Sequence, residues 1–230
     1  MQVIILAGGF GTRLQAMVPD LPKPMAPVAG RPFLGYVMDN LRRYGASRLI
    51  LSVHYKRETI MGAFGDAFDG IPIDYAVEDT PLGTGGGILH ATQYVTEDTA
   101  LILNGDTFLA MDYAAFYEQA RQHNLTLTLR HVPDVSRYGR VAVNDTHITH
   151  FAEKGTSGLG LINGGVYGLN VPWFRGLSLP PAFSMESDFF YPQVETLKPH
   201  YTITDGYFLD IGVPEDYERA QTEIPLRAGL

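Results

Sequence analysis

Residues 3–14 read Val3-Ile-Ile-Leu-Ala-Gly-Gly-Phe-Gly-Thr-Arg-Leu14, and this stretch decides the fold. Its apolar part, residues 3–7, is short, rich in β-branched side chains and ended by two glycines, which predicts a buried strand rather than a helix. The glycines that follow let backbone amides approach an anion closely, and Arg13 adds a permanent charge with a planar fork of donors. The stretch therefore predicts a strand that ends in a phosphate-binding loop.

Two well-known phosphate-binding motifs do not match this loop. The dinucleotide pattern G-x-G-x-x-G would begin at Gly9 but requires a third glycine where Leu14 stands, and the P-loop signature Gly-Lys-Ser/Thr is absent. The alternative to a phosphate loop is a glycine-rich turn that binds nothing.

Apolar runs and helical spacing alternate along the first half of the chain. They predict strands at residues 49–53, 71–77 and 100–103, helices at 33–44, 57–64 and 88–94, and a glycine loop at 83–87. This alternation is typical of βαβ units and a parallel sheet. The second half favours strands, at 126–131, 139–143, 147–153 and 164–169, with helices at 190–197 and after Pro214. We predict an α/β fold, a Rossmann-like α/β/α sandwich with a mixed, largely parallel central sheet.

Composition limits the classes of function. The 230 residues include 17 basic and 25 acidic side chains, a formal net charge of −8, and 45% are hydrophobic. One domain, 1–230, is expected, with halves at 1–125 and 126–230 that share the sheet. The acidic balance argues against a nucleic-acid or anionic-membrane partner. The absence of cysteine excludes disulfides and thiolate chemistry, and the lack of a signal-peptide pattern favours a cytoplasmic protein.

Three charged residues are placed for chemistry by their neighbours. Lys23 lies between Pro22 and Pro24, which fix the backbone, disfavour helix and present the ammonium from a stiff extended segment. Asp106 and Asp210 each follow an apolar run, and ligands of parallel sheets bind beyond the carboxyl ends of the strands. A carboxylate beside a phosphate chain requires a cation, so Asp106, with Asp210 as a second ligand, predicts a Mg²⁺ site. The alternatives are a surface lysine and a turn or capping aspartate.

Two further stretches carry weaker signals. The stretch from Glu78 to Gly87 precedes a helix, so that its amides are placed to face a nucleotide. Lys154 is a candidate for a second phosphate, and Glu153 and Asn163 offer partners for hydroxyl groups. Solvated turns are equally compatible with each of these patterns. His147 and His150 are read as ordinary polar residues of a strand.

Seven motifs in order resemble the sugar-1-phosphate nucleotidyltransferases and cover nearly the whole chain. They are the strings at residues 6–14 (Leu-Ala-Gly-Gly-Phe-Gly-Thr-Arg-Leu), 22–24 (Pro-Lys-Pro), 81–87 (Pro-Leu-Gly-Thr-Gly-Gly-Gly), 104–106 (Asn-Gly-Asp), 153–154 (Glu-Lys), 163–167 (Asn-Gly-Gly-Val-Tyr) and 210–215 (Asp-Ile-Gly-Val-Pro-Glu). Among the branches of this family, the strings are most similar to a guanylyltransferase of heptose 1-phosphate. The resemblance implies a glycosyltransferase-A-like sheet and the transfer of a nucleotidyl group to a sugar 1-phosphate.

The resemblance also implies a role for each candidate. Arg13 would hold the β- and γ-phosphates, Lys23 the α-phosphate, and Asp106 with Asp210 the Mg²⁺ ion. Lys154 would hold the sugar phosphate, while Glu153, Asn163 and the backbone of Gly139 would contact sugar hydroxyls. The remaining residues implied to bind nucleotide are Leu6, Ala7, Gly8, Gly9, Gly11, Thr12, Glu78, Pro81, Gly83, Thr84 and Asn104, and those implied to bind sugar phosphate are Gly105 and Gly164.

Several alternatives stay open at this point. A carboxylate at Glu78 suits the N1–H and N2–H₂ donors of guanine, which favours GTP, but a uridylyltransferase branch acting on muramic-acid phosphates has a similar Glu. That branch tends to carry Glu where this chain has Gly83. A mannose-1-phosphate guanylyltransferase is a further alternative within the family. From other classes, a catalytically silent nucleotide-binding module or an inert interaction protein would lack turnover. A homo-oligomer is compatible with all of these readings.

Overall fold

Strands and helices alternate through the residues that the structure, a computed structural model, describes, namely 1–9, 14, 17–155 and 157–228. The strands are β1 Gln2–Leu6, β2 Pro27–Val28, β3 Arg31–Pro32, β4 Arg48–Val53, β5 Ala67–Phe68, β6 Ile71–Val77, β7 Thr99–Asn104, β8 Thr107–Leu109, β9 Leu125–Val132, β10 Val141–Val143, β11 Ile148–Phe151, β12 Gly160–Asn170, β13 His200–Ile203 and β14 Phe208–Asp210. The helices are α1 Phe33–Arg43, α2 Arg57–Phe64, α3 Gly83–Ala91, α4 Tyr113–Ala120, α5 Val171–Arg175, α6 Tyr191–Leu197 and α7 Pro214–Arg227. Lys23–Met25 and Thr92–Tyr94 form 3₁₀ turns, and Met185–Phe190 forms a π-helical turn.

The central sheet has the order β11-β10-β12-β7-β1-β4-β6-β5, with β9 pairing to β12 and β13 to β9. Its centre is parallel, because β1 pairs in parallel with β4 and β7, and β4 with β6. Long β12 runs antiparallel to both β7 and β9. The predicted mixed sheet with a parallel centre is therefore confirmed.

Apolar residues on both faces of the sheet give the sandwich its layers. Alternate residues of β1 show this: Val3 and Ile5 join the core beneath α1 and α7, while Ile4 joins the core beneath α3 and α5. A parallel strand that is buried on both faces reads as a continuous apolar run. The division at residues 125 and 126 falls at the start of β9, whose strand is part of the same sheet.

Two local predictions are wrong for physical reasons, and the predicted helix at 190–197 is present as α6. Helix α3 begins at Gly83 and includes the predicted glycine loop, because close packing against Phe183 compensates for the poor helix propensity of glycine. Lys23 begins a 3₁₀ turn rather than an extended segment, since proline is tolerated in the first turn of a helix. The helix from 190 to 197 is preceded by a π-helical turn.

Helix α4 was not predicted, although a signal for it exists. Asp112 caps it by accepting a hydrogen bond from the backbone N–H of Ala115, and Tyr113, Phe116 and Ala120 form its buried face. Within the described ranges, none of the helices combines the length and the apolar character needed to cross a bilayer.

Candidate active site

A buried lysine joins two carboxylates at the carboxyl edge of the parallel strands. The Lys23 Nζ donates to Asp106 Oδ2 at 2.6 Å and to Asp210 Oδ1 at 3.1 Å. The lysine side chain is 9% exposed, whereas the two aspartates are 34% and 24% exposed. Two carboxylates around one ammonium leave a formal charge of −1, so the cluster is open to a further cation and reachable from solvent.

The two aspartates, more than a hundred residues apart in sequence, are brought together by a short two-stranded ribbon. Strand β14 pairs antiparallel with β8, with Asp210 opposite Thr107. The Ile211 N–H donates to the carbonyl of Asp106 at 3.1 Å, and the Gly212 N–H donates to Asp210 Oδ1 at 2.7 Å. A Cβ at Gly212 would lie 3.0 Å from the Lys23 Nζ. The absence of a side chain at Gly212 therefore lets the ammonium approach Asp210.

The first of two cavities beside the cluster, here called the glycine cavity, has a volume of ≈ 190 Å³. It lies where β1, β4 and β6 end, and its lining consists of Leu6, Gly8, Gly9, Ser52, His54, Glu78, Pro81, Gly83 and Thr84. Pockets for whole small ligands are about 300–1,000 Å³, so the described part of this cavity suits one portion of a ligand. Seven of the nine lining residues belong to the predicted nucleotide-binding set.

Glu78 is fixed in the wall of the glycine cavity. Its carboxylate, 7% exposed, accepts from the Ser52 hydroxyl at 2.6 Å and from the Leu82 N–H at 3.0 Å, one bond on each oxygen. The carbonyl of Glu78 lies 2.8 Å from His54 Nδ1. Each carboxylate oxygen has a further lone pair, so this side chain can still accept hydrogen bonds from a ligand.

Two amides of the glycine-rich helix are used by the protein itself. The N–H groups of Gly85 and Gly86 donate to the carbonyl of Phe183 at 2.9 and 3.3 Å. The expectation that the amides of this stretch face a nucleotide is therefore wrong for these two residues. Gly83 and Thr84, at the start of α3, do line the glycine cavity.

The second cavity, the tyrosine cavity, has a volume of ≈ 340 Å³ and includes Asp210 of the cluster in its wall. Strand β12 provides Asn163, Gly164, Gly165 and Tyr167, and the π-helical turn provides Glu186 and Ser187. The rest of the lining comes from Asn104, Thr107, Tyr138, Lys154, Tyr191, Phe208 and Asp210. Positively and negatively charged side chains and three phenols therefore line one cavity, an arrangement suited to a phosphorylated polyol.

The phenols of this cavity are hydrogen-bond donors at neutral pH. Burial raises the pKa of Tyr138 and of Tyr191, and burial with the Glu186 charge raises the pKa of Tyr167 well above its usual value. All three hydroxyls therefore keep their protons. The Tyr167 hydroxyl donates to Glu186 Oε1 at 3.2 Å and accepts from Asn163 Nδ2 at 2.9 Å.

Other predicted residues lie in several places. Asn104 lines the tyrosine cavity rather than the glycine cavity, although it was grouped with the nucleotide. Gly105 follows Asn104 of the tyrosine cavity and bonds to Leu6 of the glycine cavity, since its N–H donates to the carbonyl of Leu6 at 2.9 Å. Ala7 is fully buried, with its N–H bound to the carbonyl of Ser52.

Gly139 and Glu153 lie beside the tyrosine cavity without lining it. Gly139 adopts a φ of +86°, and a Cβ there would lie 2.6 Å from the carbonyl of Ala152. Glu153 is exposed, whereas the neighbouring Lys154 lines the cavity. Gly11, Thr12 and Arg13 lie outside the described residues.

Several wall residues were missed by sequence reasoning. Glu186, Tyr138 and Tyr191 lie in no glycine- or proline-marked motif, and the chain segments that carry them meet only in the folded protein. Tyr167 is the last residue of the motif at 163–167, but the sequence predicted no role for it. Ser52, in contrast, is a polar residue near the end of an apolar strand, and that signal was available.

The oxygen ligands of the cluster fit a magnesium ion. Within the described ranges, no group of three or more acidic or histidine side chains is placed to hold a metal. Mg²⁺, however, is commonly held by one or two carboxylates together with water and substrate phosphates. Asp106 and Asp210 already converge on one positive charge, the Lys23 ammonium.

Comparison with known proteins finds similar sequences along nearly the whole chain. The profile of the family described as "Nucleotidyl transferase" matches residues 2–226. The chain is 43% identical to D-glycero-alpha-D-manno-heptose 1-phosphate guanylyltransferase of Aneurinibacillus thermoaerophilus over 97% of this chain and 98% of that protein. It is equally similar to the enzyme of that name from Campylobacter jejuni, at 43% over 94% and 97%.

Solved structures show the same fold. The crystal structure of HddC from Yersinia pseudotuberculosis complexed with GMP-PN superposes with a TM-score of 0.86, at 39% identity over 96% of this chain and 97% of that one. A Bacillus anthracis protein described as a putative glucose-1-phosphate thymidylyltransferase superposes with a TM-score of 0.85 over 100% and 96% at 20% identity, a likeness of fold alone.

Proposed function

Because the chain belongs to the nucleotidyl transferase family, we propose that it joins GTP to D-glycero-α-D-manno-heptose 1-phosphate, giving GDP-heptose and pyrophosphate. The observation that carries this proposal is the cluster of Lys23, Asp106 and Asp210, whose Asp210 lines the tyrosine cavity and which lies at the same sheet edge as the glycine cavity. The 43% identity to two heptose 1-phosphate guanylyltransferases supports the choice of base and sugar.

The proposed reaction is an in-line displacement at the α-phosphorus. An oxygen of the sugar phosphate forms the new P–O bond, and the bond from the α-phosphorus to the bridging oxygen breaks, so that pyrophosphate leaves with the electron pair. No covalent enzyme intermediate forms. Catalysis then consists of positioning and neutralisation of charge.

The roles follow from where the side chains lie. Lys23, bonded to Asp106 and Asp210, would stabilise the charge that develops on the α-phosphoryl group. Lys154, in the wall of the tyrosine cavity, would hold the phosphate of the sugar. Arg13 would hold the leaving phosphates, as its motif predicts.

Asp106 and Asp210 are the residues that would hold Mg²⁺. When bound, the ion neutralises phosphate charge and orients the triphosphate. The ammonium of Lys23 holds the two carboxylates together through its bonds of 2.6 and 3.1 Å. Its presence keeps the charges from repelling each other before substrate arrives.

Guanine is the base that the glycine cavity is proposed to select. Glu78 presents its carboxylate oxygens in the cavity wall, each with one lone pair beyond its bond to Ser52 or Leu82. Those lone pairs suit the N1–H and N2–H₂ donors of guanine.

The test is Mg²⁺-dependent release of pyrophosphate. GTP, UTP, ATP, CTP and dTTP are each offered with the 1-phosphates of D-glycero-α-D-manno-heptose, mannose, glucose and N-acetylmuramic acid. We expect release mainly with GTP and the heptose phosphate. Release with UTP and the amino-sugar phosphate would overturn the substrates and keep the reaction, whereas nucleotide binding without turnover would favour a silent module.

A pair of matched variants ties the activity to the cluster. Asp106→Asn should abolish most of the release, while Asp145→Asn, a change of the same kind at an exposed turn, should leave it unchanged. Equal activity of both variants would refute the role of the cluster. A cytoplasmic location, where nucleoside triphosphates are made, is part of the proposal, and a homo-oligomer stays a prediction that light scattering would test.

A further inference from the structure

The carboxylate of Glu186 touches the walls of both cavities. Its Oε2 accepts from the Thr84 hydroxyl at 2.9 Å, and its Oε1 accepts from the Tyr167 hydroxyl at 3.2 Å. Thr84 lines the glycine cavity, and Tyr167 lines the tyrosine cavity. One side chain therefore connects the walls of two cavities that are proposed to bind different ligands, through residues more than eighty positions apart in the sequence.

The bonds around Glu186 have a defined direction. The Thr84 oxygen accepts from the Met185 N–H at 2.8 Å, so its single proton is free to be given to Glu186. On the other side, the Tyr167 hydroxyl keeps its proton and donates it to Glu186, while it accepts from Asn163. Asn163 in turn accepts from the Gly165 N–H at 2.9 Å through its Oδ1. The chain of bonds is continuous from α3 to β12.

The backbone on either side of this chain is closely packed. The Gly85 N–H donates to the carbonyl of Phe183, and a Cβ at Gly83 would lie 2.5 Å from the same carbonyl. Tyr167 is 1% exposed in the core. Glu186 itself belongs to a π-helical turn, a form that occurs often at functional sites. A shift of Thr84 is therefore transmitted to Glu186 rather than absorbed by loose contacts.

We propose that Glu186 is a positioning residue that couples the two substrate sites, so that nucleotide bound in the glycine cavity improves the binding of sugar phosphate in the tyrosine cavity, and the reverse. The inference rests on the proposed function for the identity of the ligands. It adds a thermodynamic link between them, and such a link is reciprocal. When one ligand binds, it orders the hydrogen bonds at its own end of the series. Binding of the second ligand then costs less conformational entropy.

The test measures the coupling directly, with ligands that cannot react. Calorimetry gives the Kd of the α,β-methylene analogue of GTP, with Mg²⁺, in the absence and presence of saturating heptose 1-phosphate. For the parent chain we expect the ratio of the two Kd values to lie at about 5–150, the usual range of coupled sites. A parent ratio of one would overturn the proposal.

The variant Glu186→Gln keeps the shape and removes the charge and one of the two carboxylate oxygens. Because Oε2 accepts from Thr84 and Ser184 and Oε1 accepts from Tyr167, at least one of these three donors loses its acceptor. We expect each ligand alone to bind within about threefold of the parent, and the coupling ratio to fall close to one. Glu195→Gln, an exposed change of the same kind on α6, should retain the parent ratio. A coupling ratio in Glu186→Gln within twofold of the parent would overturn the inference, as would a loss of both affinities with the ratio unchanged.

A second pair of variants tests the proposal independently if Glu186→Gln does not fold. Thr84→Ser keeps the hydroxyl that reaches Glu186, whereas Thr84→Val keeps the shape without it. The serine variant should retain the coupling ratio and the valine variant should lose it; equal ratios in the two would overturn the proposal. If the parent protein uses a different nucleoside triphosphate and sugar phosphate in the pyrophosphate assay, the coupling is measured with that sugar phosphate and with the α,β-methylene analogue of that triphosphate. A wrong substrate assignment is thereby distinguished from an absent coupling, and failure of every pair to bind refutes both.

Discussion

The two cavities beside the Lys23 cluster are built in different ways. The glycine cavity is formed where parallel strands β1, β4 and β6 end, and its wall comes from three short stretches of the chain, within residues 6–9, 52–54 and 78–84. The tyrosine cavity is formed on antiparallel β12 and the turns around it, and its wall is made of long side chains from distant segments. The wall of the glycine cavity comes from neighbouring residues in the sequence and that of the tyrosine cavity does not, so mutations should act on them differently.

The largest effect is expected at the cluster of Lys23, Asp106 and Asp210. Lys23→Met removes the cation next to the α-phosphoryl group and should lower kcat by about 10²–10³. It also leaves two carboxylates facing each other without their shared partner. We expect a lower melting temperature without Mg²⁺, and recovery when Mg²⁺ is added. A melting temperature that ignores Mg²⁺ would contradict the proposed metal ligands.

Lys154→Ala tests the tyrosine cavity alone. Loss of a charged hydrogen bond to the sugar phosphate should raise its KM by about 10–100-fold, since such bonds contribute about 1.5–3 kcal/mol. The KM for the triphosphate should stay within about twofold. Initial-rate kinetics with each substrate varied separately give both constants, and Arg43→Ala, at an exposed position of α1, is the charge control. Equal effects on the two KM values would contradict the separation of the cavities.

Gly87→Ala tests the glycine cavity. The new Cβ would lie 2.8 Å from Glu78 Oε1 and 3.0 Å from Ser52 Oγ, so Glu78 must shift. Overpacking of this kind costs about 1–3 kcal/mol of stability, and the KM for the triphosphate should rise while that for the sugar phosphate does not. Gly62→Ala, in α2 with open space around it, should instead stabilise the fold by about 0.4–1 kcal/mol. Denaturant titration and initial rates measure these effects.

The smallest effect concerns pH and the strands next to the tyrosine cavity. The rings of His200 and His123 are stacked with centroids 4.0 Å apart, and burial, with a further contribution from His123, lowers the pKa of His200. The unfolded chain therefore binds its proton first as pH falls below about 6.5, and folding stability declines from there.

His200→Gln should reduce the loss of melting temperature between pH 7.5 and 5.5. The same substitution at the exposed His150 should not. An unchanged pH profile for His200→Gln would show that the acid sensitivity arises elsewhere.

The contrast between the cavities also explains what the sequence could predict. The strand and glycines of residues 3–9 lie next to each other in the chain, and short-range chemistry is sufficient to recognise them. Asp106 and Asp210 were each visible as residues that follow apolar runs. Their approach depends on the three-residue strands β8 and β14, whose pairing joins segments about a hundred residues apart. No local pattern encodes that contact.

Glu186 is the clearest case of a residue that sequence reasoning could not assign. It lies among serines, a methionine and phenylalanines in a segment with no phosphate or metal motif. Its importance arises from bonds to Thr84 and Tyr167, which exist only after α3, β12 and the π-helical turn have packed together. Helix α4, by contrast, has a capping aspartate and an apolar face that are visible in the sequence, so this helix could have been predicted.

Strand β12 has a consequence for how this catalyst can diversify. Its pairing with β9 shifts register between Asn163 and Tyr167, where Gly165 adopts a φ of +74°. The side chains of Asn163 and Tyr167 meet across this irregularity, although residues four apart in a regular strand are about 13 Å apart. Loss or gain of one residue here would exchange the inward and outward faces of the strand beyond it. Acceptor preference can therefore change through substitution of single amino acids, whereas an insertion or deletion at these glycines should abolish activity. Libraries designed for new sugars should vary the identity of the residues and keep the length of this segment constant.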